Sequence, residues 1–423
     1  MSRLGDVPGE IGGLLGKGNP GSEPPVRVVP PAVTPLGASD FAAGLSAHRH
    51  GSGRDRFREE VRSFLGGESA ATYTSIRRAL ADCFRRLERH GSGTRVLIPG
   101  FCSTDYPEAI EGVGLDVARY DVEPTTLGAD IESLREQSFE DVAAVVAINV
   151  LGYTSRMEEL AALCTERATP LVEALGYGLG STYDGDPLGT YGDCSVLNFQ
   201  QGKPVPVGGG MVVSRRPELE FTDEGRSSVS PNAPVLAGYA LLSKPLAYGV
   251  YARVGRQILD ALGRESQPST HPEAKTDIEY APPFSTMSDF QGGVGHSVFR
   301  KLADQRRQRA ATAQFYSEQF DGLGQLEQLT PVEGLGNHQF VRYPVLVAST
   351  ELRDRLVSEL RHRGIGAGGL YDWPPIDADQ CPGAATLQNR MLALPTHPYV
   401  TDRDRRRVVD TVREAIASES HPV

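Results

Sequence analysis

The sequence is sparing with cysteine and tryptophan: it has five cysteines (Cys83, Cys102, Cys164, Cys194, Cys381) and one tryptophan in 423 residues. The cysteines are scattered, odd in number and form no C-x-x-C pair, which argues against a disulfide framework and against a thiolate zinc site. No run of about 18 apolar residues is available to cross a membrane. The opening stretch MSRLGDVPGEIGGLL lacks the apolar core of a secretory signal. Basic residues are outnumbered, 43 Lys+Arg against 54 Asp+Glu, for a net charge of −11. The basic stripe that nucleic-acid binding demands is therefore missing. No internal repeat at solenoid spacing is visible. These absences point to a reduced, cytoplasmic chain with neither nucleic acid nor membrane as partner. At 423 residues and 39% apolar composition, it is long enough for one large and one smaller domain.

Residues 1–25 are rich in Gly and Pro and read as a disordered terminus. Pro24 to Phe41 reads as an extended arm, because each Pro biases its predecessor toward β or polyproline II. His48, Arg49 and His50, set among glycines, read as a loop. Arg54–Leu65 is an amphipathic helix. ATYTS (71–75) precedes a second helical stretch, with Ser75 as its N-cap. RVLIPGF (95–101), GLDVARYDV (114–122) and AAVVAINV (143–150) are short apolar strands separated by helical stretches. That alternation predicts an α/β fold with a mostly parallel sheet flanked by helices. The spacing places the large domain, arm included, at 26–285 and a smaller C-terminal α+β domain at 286–423. Within the latter, Met287–Phe320 reads as a long helical region whose Arg-rich face is solvated. HQFVRYPVLV (338–347) reads as a strand and 350–364 as a helix. Tyr371, Trp373 and His397 fall in Pro-rich loops, where packing is their expected role.

The chemistry concentrates in Leu171–Ser214. A short apolar run ends in Glu173, a Gly-rich segment follows, and an apolar strand-like piece, Cys194–Phe199, delivers Lys203 into a turn closed by Gly208, Gly209 and Gly210. Glycines permit positive φ and close approach. A lysine held there and partly shielded from water has its charged form disfavoured, so its amine can attack an aldehyde. Ligands of parallel sheets sit at the carboxyl ends of strands. Phe101, Ser103, Asn149, Glu173 and Lys203 all fall at such ends, which makes them one candidate site.

This stretch resembles the lysine segment of the DegT/DnrJ/EryC1/StrS family, the pyridoxal-phosphate (PLP) sugar aminotransferases of fold type I. The family pattern is roughly I-E-D-A-A-Q-x-x-G, G-x-x-G-D, F-S-F-x-x-x-K, then G-G. Glu173, Gly180, Gly189, Gly192, Asp193, Phe199 and Lys203 match it without a gap, and Gly-Lys-Pro resembles a branch carrying G-K-P-L. RGIGAGGLYDWPP and LALPTHPYVTDRD resemble the family's closing domain, so the likeness spans roughly residues 26–418. It implies pyridoxal 5'-phosphate as cofactor, Lys203 as the catalytic lysine that forms an imine with it, and a homodimer with shared active sites. The substrates implied are an amino donor and a keto sugar or similar small polar ketone, and the setting implied is specialised, antibiotic-type metabolism.

The resemblance also implies which residues meet the cofactor, and several depart from the pattern. Ser75, Ile76 and Arg77 stand where S-G-T or S-G-R receives the phosphate. Ser103 stands where an aromatic residue stacks on the ring, leaving Phe101 or Tyr106 as substitutes. Ala174 replaces the acid that pairs with the ring nitrogen, so Glu173 serves only if the backbone turns there. Tyr177 replaces a Gln, and Asn198 a Ser near the phosphate. These changes leave open a PLP enzyme of altered reaction type (lyase, dehydratase or oxidase), or a degenerate member acting as a binding partner. The intact Lys203 favours an enzyme.

Overall fold

Seven strands form the central sheet: β1 (Ser69–Tyr73), β2 (Arg95–Pro99), β3 (Asp116–Tyr120), β4 (Val142–Ile148), β5 (Leu171–Ala174), β8 (Cys194–Asn198) and β9 (Gly210–Ser214). The spatial order is β1-β9-β8-β5-β4-β2-β3. The short strands β6 (Thr182–Tyr183), β7 (Asp186–Pro187) and β11 (Leu335–Gly336) form a small separate sheet. Helices α4 (Asp105–Gly112), α5 (Ile131–Arg135) and α6 (Met157–Glu166) join β2 to β3, β3 to β4 and β4 to β5, and α12 (Pro382–Arg390) precedes the last strand. β8, β5, β4, β2 and β3 run parallel, while β9 lies antiparallel between β1 and β8. The computed structural model describes residues 26–91, 93–223, 232–261, 280–370 and 376–419. The expected terminus 1–25, Tyr371 and Trp373 lie outside the described residues.

The sheet follows from sequence. VAAVVAI in β4 and the flanking runs are almost uniformly apolar, as strands covered on both faces must be. One face of the sheet buries Val172, Ala174 and Val196 with Ile76, Leu80 and Phe84. The other buries Leu171, Leu175 and Leu197 with Phe57, Leu160 and Phe290. Each such Val, Leu, Ile or Phe side chain withdrawn from water stabilises the fold by about 1.5–3 kcal/mol. Helix α3 (Ile76–His90) covers the first face and starts from Ser75, whose hydroxyl accepts the Arg78 N–H.

A second sheet of three antiparallel strands, β10 (Leu326–Gln328), β12 (Arg342–Val347) and β13 (Met391–Pro395), packs with helices α11 (Thr350–His362) and α13 (Asp402–Glu419). β12 begins at Arg342, so His338–Val341 of the expected strand approach it without joining the ladder. The extended arm ends earlier than expected, since α1 (Ala38–His50) begins at Ala38. His48, Arg49 and His50 are its last turn and not a loop. Their basic side chains suit the negative end of the helix.

The expected single region 287–320 is two helices, α9 (Asp289–Phe299) and α10 (Leu302–Phe320). α9 packs on α1 and α2 (Gly53–Phe64), with glycines 292, 293 and 295 facing Arg54, Ala47 and Phe57. Phe290, Val294 and Val298 of α9 join the core under the large sheet, whereas Ala313, Tyr316 and Phe320 of α10 join the core of the second sheet. α10 keeps Arg307 on a solvated face as expected, but Arg309 departs from that reading. Gln305, Arg309, Thr312, Tyr316 and Phe320 share its buried stripe at helical spacing, and Arg309 is fully buried.

The arm threads both units. Val29 bridges Ile365, the Val28 N–H reaches the Pro245 carbonyl at 3.0 Å, and His397 Nε2 donates to the Pro30 carbonyl at 2.8 Å. His397 is thus a buried strut between arm and small unit, which is the packing role expected of it.

Candidate active site

Lys203 sits in the connection between β8 and β9, where the antiparallel pair continues past the strand ends: the Phe199 N–H meets the Gly209 carbonyl at 3.0 Å and the Gly208 N–H meets the Phe199 carbonyl at 2.6 Å. Gly208 and Gly209 have φ of +78° and +84°. A Cβ at Gly209 would run into the Tyr73 carbonyl, so this corner requires glycine on both counts. The same glycines bring the turn against the start of α3, since a Cβ at Gly210 would lie 3.2 Å from Ile76 Cα.

The Lys203 Nζ lies 3.2 Å from the centroid of the Tyr177 ring. A Cβ at Gly176 would be 3.9 Å from Nζ and 3.5 Å from Asn198 Cβ, so the segment after β5 floors the amine. The Lys203 backbone is held from behind. The Thr34 hydroxyl donates to the Lys203 carbonyl at 2.7 Å and accepts from Arg309 Nη2. The Tyr239 hydroxyl accepts the Thr34 N–H at 3.1 Å and donates to the Thr34 carbonyl at 3.2 Å. Burial pulls the Arg309 guanidinium down to about 10. Thr34 and Arg309 carry no sequence signal of their own. Arg309 was legible only through its phase with Tyr316 and Phe320.

Glu173 does not face the lysine. Successive strand residues point to opposite faces, and Glu173 turns to the face opposite Ala174. Its carboxylate accepts three backbone N–H groups, from Gly189 at 2.8 Å, Tyr191 at 2.7 Å and Gly192 at 2.6 Å. Burial is complete and pushes the carboxyl up, while these three donors pull it down. Glu173 organises the Gly-rich loop, and the expectation that it contacts the cofactor is corrected accordingly.

The remaining expected residues divide. Ser75 caps α3, and the Ile76 side chain is buried beneath it, so these two contribute backbone at the helix start. The first N–H groups of a helix lack intrahelical acceptors, and no acidic residue occupies this first turn. Arg77 is engaged elsewhere: Nε lies 3.0 Å from Asp105 and 3.4 Å from Glu108. Ser103 donates to Asp105 at 2.9 Å, joining the same network. Asn198 Oδ1 accepts the Gln200 N–H at 2.9 Å, which shapes the first residues of the lysine turn. Phe101 and Tyr106 are buried in the cluster that also holds Tyr177 and Ala174.

A primary amine on an aromatic face, beside the start of a helix, suits a flat aromatic aldehyde carrying a phosphate. The ring-nitrogen acid is the one part of that set this segment does not supply. Site and sheet together define a PLP enzyme of fold type I. The sequence profile of the DegT/DnrJ/EryC1/StrS aminotransferase family matches residues 42–224 and 265–413, and the chain belongs to that family. Its cofactor is PLP, and the chain is an aminotransferase-like enzyme.

Relatives agree. The chain is 26% identical over 337 residues to the dTDP-4-dehydro-2,3,6-trideoxy-D-glucose 4-aminotransferase of Saccharopolyspora spinosa, covering 77% of this chain and 79% of that one. It is 29% identical over 161 residues to the GDP-perosamine synthase of Vibrio cholerae, covering 38% and 44%. Among solved structures, the aminotransferase TlmJ from Streptoalloteichus hindustanus superposes with a TM-score of 0.71 at 23% identity, covering 94% of this chain and all of that one. The PLP-form of the sugar aminotransferase Spr1654 from Streptococcus pneumoniae gives 0.71 at 17% identity, covering 92% and 99%. These likenesses extend the fold across nearly the whole chain.

Proposed function

We propose that the protein transfers an amino group from an amino donor to a keto sugar or similar small polar ketone, with Lys203 as the catalytic residue that carries the cofactor. The observation that supports this most is the Lys203 amine poised over Tyr177, beside the start of α3. The keto-sugar class rests on relatives named for sugar amination, the one from Saccharopolyspora spinosa among them. Specialised metabolism is the setting that this relative suggests.

In this reading each residue has a task. Lys203 Nζ binds the cofactor covalently and moves the proton at the substrate carbon. The Ser75–Ile76 backbone at the head of α3 binds the phosphate, where the helix dipole favours negative charge. Tyr177 presents its ring to one face of the reacting group and excludes water from it. When bound, PLP supplies the electron sink that makes the proton labile. Incubating the PLP-loaded protein with a panel of amino acids tests the reading: an aminotransferase converts the cofactor to its amine form with at least one donor. A second reading, a PLP enzyme of altered reaction type, is favoured by one observation. Ala174 offers no acid, and the Glu173 carboxylate is committed to the loop backbone. Release of a product from a candidate substrate without any conversion to the amine form supports that second reading.

The working unit we infer is a homodimer. Val235, Leu241, Leu246, Val250 and Val254 are each 45–60% exposed on α7 (Ala233–Leu242) and α8 (Pro245–Ala261). An apolar stripe of this kind calls for a partner surface, and a second copy is the one the family supplies. Sedimentation of a stable, fully active monomer would refute it.

A further inference from the structure

Asn149 follows β4, directly beside the position that lacks its acid. Ile148 pairs with Ala174 in the parallel ladder, and the Asn149 N–H reaches the Ala174 carbonyl at 3.3 Å. Its side chain is only 1% exposed. Thr154 Oγ1 donates to Asn149 Oδ1 at 2.6 Å, which orients the amide. Nδ2 then has no hydrogen-bond partner among the described residues. A buried donor left unsatisfied destabilises the fold, so a native site that keeps one calls for an acceptor supplied from elsewhere.

The placement says which acceptor. A Cβ at Gly178 would lie 2.9 Å from Asn149 Cβ and 3.4 Å from Nδ2, whereas the Gly176 position faces the Lys203 amine at 3.9 Å. Amine and amide therefore flank one short segment, 176–178, with Ala174 and Tyr177 in the same buried cluster. Resting on the reading of Lys203 above, we propose that Asn149 Nδ2 donates a hydrogen bond to the pyridine nitrogen of the bound cofactor. In that role it takes the place of the missing carboxylate and holds the nitrogen unprotonated. An amide N–H can only donate, and a donor favours the neutral, lone-pair form of its partner. A carboxylate at Ala174 would favour the protonated form. Asn149 is thus a cofactor-binding residue that makes the ring a weaker electron sink, and it accounts for the loss of the acid at Ala174 without loss of Lys203.

The test reads the nitrogen itself. Protein is loaded with PLP labelled with nitrogen-15 in the ring, and the ring shift is recorded for the parent, Asn149→Asp and Thr154→Val. The parent should fall in the unprotonated range. Asn149→Asp should move to the protonated range, and Thr154→Val, which frees the amide to rotate, should move part of the way. A parent already protonated overturns the proposal while leaving Lys203 as carrier. An unmoved ring nitrogen in folded, loaded Asn149→Asp overturns it too, as does a Thr154→Val change confined to the visible absorbance, which would assign the amide to the ring oxygen. If no PLP is taken up, the reading of Lys203 fails along with it.

Discussion

The Lys203 ammonium rests on the face of Tyr177, with Nζ 3.2 Å from the ring centroid. A cation on an aromatic face is held by about 0.5–2 kcal/mol, more when water is excluded. The same face is available to a bound ring. Tyr177→Phe keeps that face and should leave PLP affinity within about twofold, while Tyr177→Ala should weaken it by roughly tenfold, the equivalent of ~1.4 kcal/mol. Fluorescence titration with PLP distinguishes them. Equal affinities for Phe and Ala would show that the ring has no part in holding the cofactor.

Glu173 is expected to matter for folding more than for the cofactor. Gln in its place cannot accept from all three loop N–H groups, because one of its two heads is itself a donor. Glu173→Gln should cost on the order of 1–3 kcal/mol in denaturant unfolding, while the visible spectrum of bound PLP stays that of the parent. A spectral change in a variant of parental stability would return Glu173 to the ring.

Thr34 ties the arm to the catalytic turn by standing between Arg309 and the Lys203 carbonyl. Thr34→Val keeps the shape, removes the hydroxyl and leaves a buried guanidinium short of its partner. We expect a loss of about 1–3 kcal/mol in stability together with weaker PLP binding, both largely restored by Thr34→Ser. Unfolding curves and PLP titration check this; a Val variant equal to the parent in both would remove the tie from the account.

Much of this was legible beforehand, for reasons tied to particular residues. The lysine turn could be read because its determinants are local: an apolar strand, then glycines forced into positive φ. The parallel sheet followed from uniformly apolar runs such as β4. Strand alternation already turned Glu173 away from the position of Ala174, but the partner of its carboxylate was not legible, because it is a loop sixteen to nineteen residues later in the chain. Arg309 was hidden by its neighbours, since a run of arginines looks solvated until its phase with Tyr316 is counted. His48–His50 look like a loop because Gly51 follows them, yet that glycine is the left-handed residue that ends α1.

His338 and His397 are both fully buried, and burial pulls each down to about 4. A histidine lowered from its ordinary 6.5 stays neutral in the fold but is protonated earlier in the unfolded chain. Its stabilisation is present above pH 6.5 and is lost as pH falls toward and through 4. For a group shifted this far the loss is on the order of 3 kcal/mol. His397→Gln can still donate to the Pro30 carbonyl but cannot titrate. Urea midpoints measured between pH 7 and 4 (about the window these shifts define) should fall less steeply for this variant. A slope identical to the parent would mean that His397 is not the titrating group.

The central claim is that Lys203 holds the cofactor, and it has a direct measurement. The protein is saturated with PLP, reduced with borohydride, digested, and its peptides are mapped by mass spectrometry. The account predicts a single pyridoxyl group on the peptide containing Lys203, absent from Lys203→Ala. A pyridoxyl group on another lysine of the parent, or none despite saturation, would contradict it.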